Sequence, residues 1–193
     1  MKPVEVLNDE DLKAEIFYDE CGLNPRKEFD NLGTIVCLHR RYDLGDEHTY
    51  RSDDHQSWDD LERTICEDHD PAVILPLYLM DHSGLSLSVG CDHFLACDSM
   101  GWDWGQVGFI FVPKEKVRRE WSVKRISPKL RDTITRNLIS EVDEYGKCLN
   151  GEVFGYVLKK GDDELDSCWG FIGLEFVYEE ARRVMDYHVG RRS

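Results

Sequence analysis

Two near-continuous apolar runs in the middle of the chain constrain its fold more than any other feature. The first is Val73 to Met80, and the second lies within the segment Trp102 to Val112. Each run has the length of a strand and is bounded by turn residues, which is typical of strands buried inside a domain. We therefore predict that the two segments are neighbouring central strands of a sheet.

The remaining segments add strands and helices that do not alternate regularly along the chain. Further strands are predicted at 15–18, 34–39, 151–158 and 165–171, with a short alternating run ending at Val89. Helices are predicted at 57–67, 114–121, 127–146 and 176–188. Strands that are separated from helices in this way indicate the α+β class. We predict a single α+β domain over residues 1–193, with a mixed, largely antiparallel sheet of five to seven strands and helices mainly on one face.

Two of the helices carry recognisable start signals. Ser57-Trp-Asp-Asp60 has the form of a capping box, in which the Ser57 hydroxyl accepts from a backbone N–H three residues on. Ser127-Pro128 combines a capping hydroxyl with a proline at the first helical position. The last helix is predicted to place one apolar side inward, formed by Phe176, Ala181, Val184, Met185 and His188.

Composition predicts a cytoplasmic protein of a host cell, with reduced cysteines and no membrane segment. No stretch approaches about 18 consecutive apolar residues, and the first residues lack the apolar core of a signal peptide. The seven cysteines are odd in number and scattered, which favours free thiols. Cys91, His93 and Cys97 do not have a standard zinc-ligand spacing, so we predict neither a metal nor a cofactor.

The negative charge is unevenly distributed along the chain. Residues 1–112 carry a net charge of −16, whereas residues 113–193 carry +1. A surface with this charge repels nucleic acid and attracts basic partners, although an acidic surface also serves solubility. The predicted partner-binding acids lie between residues 43 and 62, and they are Asp43, Asp46, Glu47, Asp53, Asp54, Asp59, Asp60 and Glu62.

A local basic strip follows the central strands. The segment 114–131 contains eight basic residues and two acidic ones. Two interpretations are open: the strip is solvated or pairs with the acidic part of the chain, or it binds phosphate. The first is favoured because aromatic residues are scarce in the strip and the overall field opposes nucleic acid.

Polar and aromatic residues collect where the central strands end. Imidazole with carboxylates suits a divalent metal, and arginine suits a carboxylate or a phosphate. Asp81-His82-Ser83 cannot form a catalytic triad among themselves, because adjacent side chains point in different directions. The candidate strand-end site consists of His39, Arg40, Arg41, Asp81, His82, Ser83, Trp102, Asp103, Trp104 and Gln106.

Several long motifs in the chain resemble a known group of proteins. The motifs lie at 24–26, 29–34, 39–46, 81–84, 102–108 and 166–170, and include Phe-Asp-Asn-Leu-Gly-Thr, His-Arg-Arg-Tyr-Asp-Leu-Gly-Asp and Trp-Asp-Trp-Gly-Gln-Val-Gly. They resemble small acidic proteins associated with bacterial and archaeal viruses and plasmids. The resemblance implies a role in the contest between mobile elements and their hosts, and it carries over no catalytic residue.

Two functions follow as hypotheses. The leading one is a non-enzymatic accessory protein that binds a basic DNA- or RNA-handling host protein by mimicking nucleic acid, without binding nucleic acid or membranes itself. The alternative is a metal- or nucleotide-dependent enzyme whose site gathers His39, Asp81, His82 and Asp103. A third possibility is a structural or regulatory accessory protein, in which the charge and the strand-end residues serve folding and solubility.

Overall fold

A computed structural model describes residues 2–20 and 22–190 of the chain. Its strands are β1 (Glu5–Asp9), β2 (Leu12–Tyr18), β3 (Thr34–Cys37), β4 (Pro71–Asp81), β5 (Leu85–Val89), β6 (Trp104–Pro113), β7 (Val153–Lys160) and β8 (Asp163–Ile172). Its helices are α1 (Pro25–Glu28), α2 (Trp58–His69), α3 (Asp92–Cys97), α4 (Lys114–Glu120), α5 (Pro128–Leu149) and α6 (Leu174–His188). None of the helices in the described residues is long and apolar enough to cross a membrane.

The chain divides into two compact units. The terminal unit combines the chain up to Asn24 with the chain from Lys147 onward, and the central unit is formed by Pro25–Gly146. Each unit contains a four-stranded antiparallel sheet, ordered β1-β2-β7-β8 in the terminal unit and β3-β6-β4-β5 in the central unit. The α+β class is therefore confirmed, but eight strands form two sheets where we predicted five to seven in one. The assignment of residues 1–193 to a single domain stays a prediction.

In the terminal unit, α6 packs on one face of the sheet. The buried side chains of Leu12, Ala14 and Ile16 in β2 share one face, because strand side chains alternate between the two faces of a sheet. They form one core with Tyr156 and Leu158 of β7 and with the buried side of α6, which consists of Val177, Ala181, Val184 and Met185. The predicted apolar side of α6 was partly wrong, since Phe176 is 52 % exposed and His188 is exposed as well.

In the central unit, the two apolar runs are the two central strands, as predicted. β4 pairs with β6 along most of its length, with Leu75 opposite Ile110 and Leu77 opposite Gly108. Gly108 is required by packing, because an added Cβ would lie 1.9 Å from the carbonyl oxygen of Val36 on β3. The backbones of β3 and β6 therefore approach each other more closely than a side chain allows.

Helices cover both faces of the central sheet, where we expected them mainly on one. Leu61 and Ile65 of α2 pack on one face, in a core with Val36, Phe109 and Phe111. On the other face, Leu138 of α5 lies beside Ile110, since a Cβ added at Gly33 would lie 2.6 Å from Leu138 Cδ2 and 2.8 Å from Ile110 Cδ1. Covering on both faces explains why β4 and β6 are apolar at consecutive positions.

The capping box of α2 is confirmed with one variation. The backbone N–H of Asp60 donates to Ser57 Oγ at 3.2 Å. The Asp60 carboxylate reaches back to the backbone N–H of Gln56 at 3.1 Å, one residue before the cap. The helix therefore starts as predicted, and the segment that precedes it is fixed by the same aspartate.

Candidate functional site

The predicted strand-end site forms in part, beginning with Asp81 at the end of β4. Asp81 Oδ2 accepts from Arg41 Nη1 and from the Tyr42 hydroxyl, each at 3.0 Å. The hydrogen bond to Asp81 raises the pKa of Tyr42. His39 holds the preceding turn, because its Nδ1 accepts from the backbone N–H groups of Arg41 and Tyr42, both at 3.3 Å. The His39 ring also stacks on the Tyr42 ring, with centroids 5.0 Å apart.

A second pair lies beside the first. His82 Nδ1 donates to Asp103 Oδ2 at 2.8 Å. The two pairs are joined by the backbone, since the N–H of Asp81 donates to the carbonyl of Asp103 at 2.8 Å. The structure therefore brings together His39, Arg41, Asp81, His82 and Asp103. The His82 and Asp103 side chains are 68 % and 46 % exposed, and ion pairs this open to water contribute little stability.

The other predicted strand-end residues point elsewhere. Trp104 donates from Nε1 to the carbonyl of Asp98 at 2.8 Å and lies against Phe94. Gln106 donates to the carbonyl of Gly108 at 3.4 Å. Trp102 is 82 % exposed at the tip of the loop before β6. Arg40 and Ser83 are exposed as well, so these five residues do not complete a common site.

Asp98 organises the loop that carries Trp102 and Asp103. Its carboxylate accepts from the backbone N–H groups of Met100, Trp102 and Asp103, at 3.1, 2.6 and 3.1 Å. These bonds, that from Asp103 most strongly, lower the pKa of Asp98. Asp98 was not among the predicted site residues, although an aspartate before a Ser-Met-Gly turn is a recognisable signal for such a turn.

The strand-end residues do not form a metal centre within the described part of the chain. No three side chains among histidine, cysteine, aspartate and glutamate are placed to hold a metal ion there. The His82–Asp103 pair supplies one imidazole and one carboxylate, and Asp81 is engaged by Arg41 and Tyr42. The Cys91–Cys97 segment also contains His93, whose side chain lies outside the described residues.

Most of the predicted partner-binding acids lie on an exposed surface of the central unit. Asp53 and Asp54 lie on a short 3₁₀ turn, Ser52–Asp54, directly before α2. The acidic surface is defined here by the carboxylates of residues 43–67 that are exposed or half-buried and form no ion pair with another described residue, namely Asp43, Glu47, Asp53, Asp54, Asp59, Glu62 and Glu67. Arg40 connects its parts, because it lines one cavity with Asp43 and Glu47 and a second with Ser52 and Trp58.

Asp60 and Asp46 have internal roles. Asp60 caps α2 and also accepts from Arg63 Nη1 at 3.1 Å. Asp46 accepts from the backbone N–H of Ile35 at 2.7 Å and from two nitrogens of Arg26. The carboxylates of Asp46 and Asp60 are therefore engaged within the chain, and their role in binding a partner stays a prediction.

Arg26 is the centre of this interior network. Its side chain is 2 % exposed and contacts both Asp46 and Glu141, and Nη2 donates to the carbonyl of Gly33 at 2.7 Å. Glu141 on α5 also accepts from the backbone N–H groups of Leu32 and Gly33. A buried guanidinium needs such complete pairing, because an unpaired buried charge is strongly destabilising. Arg26 and Glu141 were not among the predicted residues, because their partners are distant along the chain.

Tyr50 attaches the segment of residues 50–57, called here the acidic segment, to α2. Its hydroxyl donates to Asp68 Oδ2 at 2.9 Å and lies 3.0 Å from His69 Nε2. Its ring also lies near the rings of His48 and His55, with centroids 6.0 and 6.2 Å away. Burial and the hydrogen bond to Asp68 raise the pKa of Tyr50 to about 12. Both ends of the acidic segment are thus held, by Tyr50 and by the Ser57 cap.

The basic strip is divided between internal contacts and solvent. Lys114 pairs with Asp70, Lys116 donates to the carbonyl of Asn31 at 2.6 Å, and Arg131 donates to the carbonyl of Ala72. The side chains of four others are exposed and make no hydrogen bond or ion pair with a described residue, namely those of Arg118, Lys124, Arg125 and Lys129. The strip therefore matches the interpretation that combines internal pairing with solvation.

Comparison of the chain with protein-family models, with curated proteins and with solved structures finds no match. The resemblance to acidic proteins of viruses and plasmids therefore stays a prediction.

Proposed function

We propose that the protein is an acidic accessory protein of a mobile element that binds a basic, nucleic-acid-handling host protein in the cytoplasm. In this proposal the acidic surface occupies the region of the partner that otherwise contacts DNA or RNA phosphates. The observation that carries the proposal is the set of seven carboxylates of the acidic surface, none of which forms an ion pair with another residue that the structure describes.

The local charge supports electrostatic binding. Residues 43–70 contain eleven acidic and two basic residues. Of the two bases, Arg63 pairs with Asp60, which lies outside the acidic surface as defined here. A field of one sign on a rigid surface accelerates association with a partner of opposite charge, and ionic strength screens it.

The fixed backbone of the acidic segment supports the proposal further. Tyr50 holds one end of the segment through Asp68, and the Ser57 cap holds the other. Carboxylates on a fixed backbone lose less conformational freedom on binding than carboxylates on a mobile loop.

The alternative, a metal- or nucleotide-dependent enzyme, stays a prediction. The observation that supports it is the pairing of Arg41 with Asp81 and of His82 with Asp103 at one end of the central sheet. Against it, Asp81 is already paired, and the His82–Asp103 pair is open to water.

One experiment separates the two functions. The tagged protein is used to capture host proteins at low and at high salt, and the same purified sample is analysed for metal and nucleotide. Recovery of a DNA- or RNA-binding protein at low salt only, without stoichiometric metal, is the expected result. Stoichiometric metal or a co-purified nucleotide, with no captured partner, would support the enzyme instead.

A further inference from the structure

The four solvated bases of the basic strip form a surface on the connection between α4 and α5. They are Arg118, Lys124, Arg125 and Lys129, and they are called here the basic surface. The segment 114–136, which contains them, has nine basic and three acidic residues, a net charge of +6 in a chain whose net charge is −15. The basic surface therefore has the opposite charge to the protein as a whole.

The backbone that carries the basic surface is fixed by local hydrogen bonds. α4 ends with Ser122 in the left-handed conformation, at a φ of 52°, and the N–H of Val123 donates to the carbonyl of Arg118 at 3.1 Å. This arrangement closes the C-terminal end of a helix. α5 begins at Ser127, whose Oγ accepts from the N–H of Leu130 at 3.2 Å. The four bases therefore lie on a short connection between two capped helix ends.

The basic surface and the acidic surface lie at opposite ends of the central unit, as α5 shows. The first turn of α5 is attached to the start of β4, because Arg131 donates to the carbonyl of Ala72. Near the end of α5, the Tyr145 hydroxyl accepts from the N–H of Gly45 at 3.0 Å, in the loop 43–47 of the acidic surface. Fourteen residues of helix separate the two attachments, a distance of about 21 Å.

α2 gives the same separation on the other face of the sheet. The 3₁₀ turn Ser52–Asp54 and Asp59 lie at its start, whereas its C-cap, Asp70, pairs with Lys114 at the start of α4. The twelve residues of α2 span about 18 Å. Glu67, in the last turn, is the member of the acidic surface nearest to α4 along this helix. Most of the carboxylates are therefore too far from the four bases to pair with them inside one chain.

The charges of the central unit are complementary between copies. Residues 43–70 carry a net charge of −9, and the segment 114–136 carries +6. The net charge of −15 repels a second copy at long range, but salt at about 0.1 M screens this repulsion beyond about 10 Å. Opposite charges that touch are much closer than this distance. At moderate salt, contact between the two surfaces is therefore favourable.

We infer that the protein associates with itself head to tail, with the basic surface of one copy against the acidic surface of the next. Such a contact joins two different patches, so each added copy leaves one acidic and one basic surface open to further copies. Nucleic acid is a less favoured occupant, because phosphates beyond the four bases would face an acidic protein. Trp121, the single aromatic residue of the strip, is also half-buried, so it offers little surface for stacking a base.

Self-association occupies the acidic surface that the proposed function assigns to a host partner. If that function holds, the partner must displace the neighbouring copy, and this consequence alone rests on the proposed function. The head-to-tail contact itself is measured on the purified protein without any partner. Its failure would therefore leave the proposed function standing.

Sedimentation velocity at two salt concentrations tests the inference. At about 0.1 M salt the protein should sediment as a concentration-dependent mixture of single chains and larger species. At about 1 M salt, where charges are screened beyond about 3 Å, it should sediment as a single chain. Single chains at both salt concentrations would overturn the inference. Larger species that persist unchanged at the higher concentration would also overturn it, because they would indicate an apolar contact.

A pair of matched variants tests the position of the contact. The base reversal replaces three bases of the basic surface with glutamate, namely Lys124, Arg125 and Lys129. The control replaces three exposed bases of the terminal unit with glutamate, namely Lys160, Arg182 and Arg183. The two variants have the same net charge, but only the base reversal should weaken self-association about tenfold or more, because like charges then meet. Equal weakening by both variants would overturn the inference.

A charge exchange within one chain completes the test. Adding Asp53→Lys, Asp54→Lys and Asp59→Lys to the base reversal restores the net charge of the natural chain and makes the two surfaces complementary again. The combined variant should regain self-association at about 0.1 M salt, and failure to regain it would contradict the head-to-tail contact. Binding of a DNA duplex that the base reversal abolishes, in a protein that does not self-associate, would overturn the inference and assign the basic surface to nucleic acid.

Discussion

Asp46 and Arg26 form a bidentate ion pair inside the central unit, although twenty residues separate them in sequence. The same guanidinium contacts Glu141 of α5 at 3.1 Å. The network thus connects the chain before β3, the loop after it and the long helix on one face of the sheet. It fixes the start of the loop from which the acidic surface begins.

Replacing Arg26 should destabilise the protein strongly. Arg26→Met leaves Asp46 and Glu141 without their cation in a mostly buried position, which should lower the free energy of unfolding by about 3–5 kcal/mol. Urea unfolding followed by tryptophan fluorescence measures the change. Arg51→Met is the matched control, because Arg51 is exposed and unpaired, and it should change stability by less than about 0.5 kcal/mol. Similar effects of the two variants would contradict the structural role of Arg26.

Tyr50 should make stability sensitive to alkaline pH. Its pKa is raised to about 12 in the folded protein, so between pH 10 and 12 the folded state retains a proton that the unfolded state has lost. Stability should therefore fall as the pH rises through this window. In Tyr50→Phe this part of the decrease should be absent, as measured by urea unfolding at several pH values. An unchanged pH dependence in Tyr50→Phe would contradict the assignment.

Binding of the partner should depend on where the carboxylates lie as well as on the net charge of the protein. Reversing Asp53, Asp54 and Asp59 to lysine should weaken binding of the captured partner about tenfold or more at low salt, because like charges then face each other. The control reverses Asp162, Asp163 and Glu164, which are exposed at the end of the turn after β7 and at the start of β8 in the terminal unit. The two triple variants have the same net charge. If both weaken binding equally, the partner responds to net charge and not to the acidic surface.

Asp98 should control the order of the loop that carries Trp102. Asp98→Ala removes the acceptor of three backbone N–H groups, so the amides of Met100, Trp102 and Asp103 should exchange with solvent faster. Hydrogen exchange followed by NMR measures these amides individually. Asp92→Ala is the control, because Asp92 is exposed and makes none of these bonds. Unchanged exchange in Asp98→Ala would show that the loop is held by other contacts.

Local sequence patterns were enough to predict the central strands and the helix starts. The runs that became β4 and β6 are apolar at consecutive positions because helices cover both faces of their sheet. The capping box at Ser57 and Asp60 involves neighbouring residues only, so its geometry follows from spacing. The grouping of Asp81, His82 and Asp103 was also predictable, since they lie where two neighbouring strands meet their loops.

The errors arose where the partner of a residue lies far away in sequence. The sequence around Asp46 resembles the sequence around the exposed acidic residues. Nothing in that neighbouring sequence shows that Arg26 and Ile35 bind its carboxylate. The division of the strands into two sheets depends on β2 pairing with β7, from opposite ends of the chain. Phe176 and Val177 are adjacent apolar residues of α6, and periodicity did not decide which is buried. Phe176 instead lies near Lys147, whose Nζ is 5.6 Å from its ring centroid.

Competition with duplex DNA tests the central claim most directly. The partner captured by the tagged protein at low salt is incubated with increasing amounts of an unrelated DNA duplex. If the acidic surface occupies the nucleic-acid-binding region of the partner, the DNA should displace the protein, and the Asp53, Asp54 and Asp59 reversal should be displaced at lower DNA concentrations. A ternary complex of DNA, partner and protein, with no displacement at saturating DNA, would contradict the proposal.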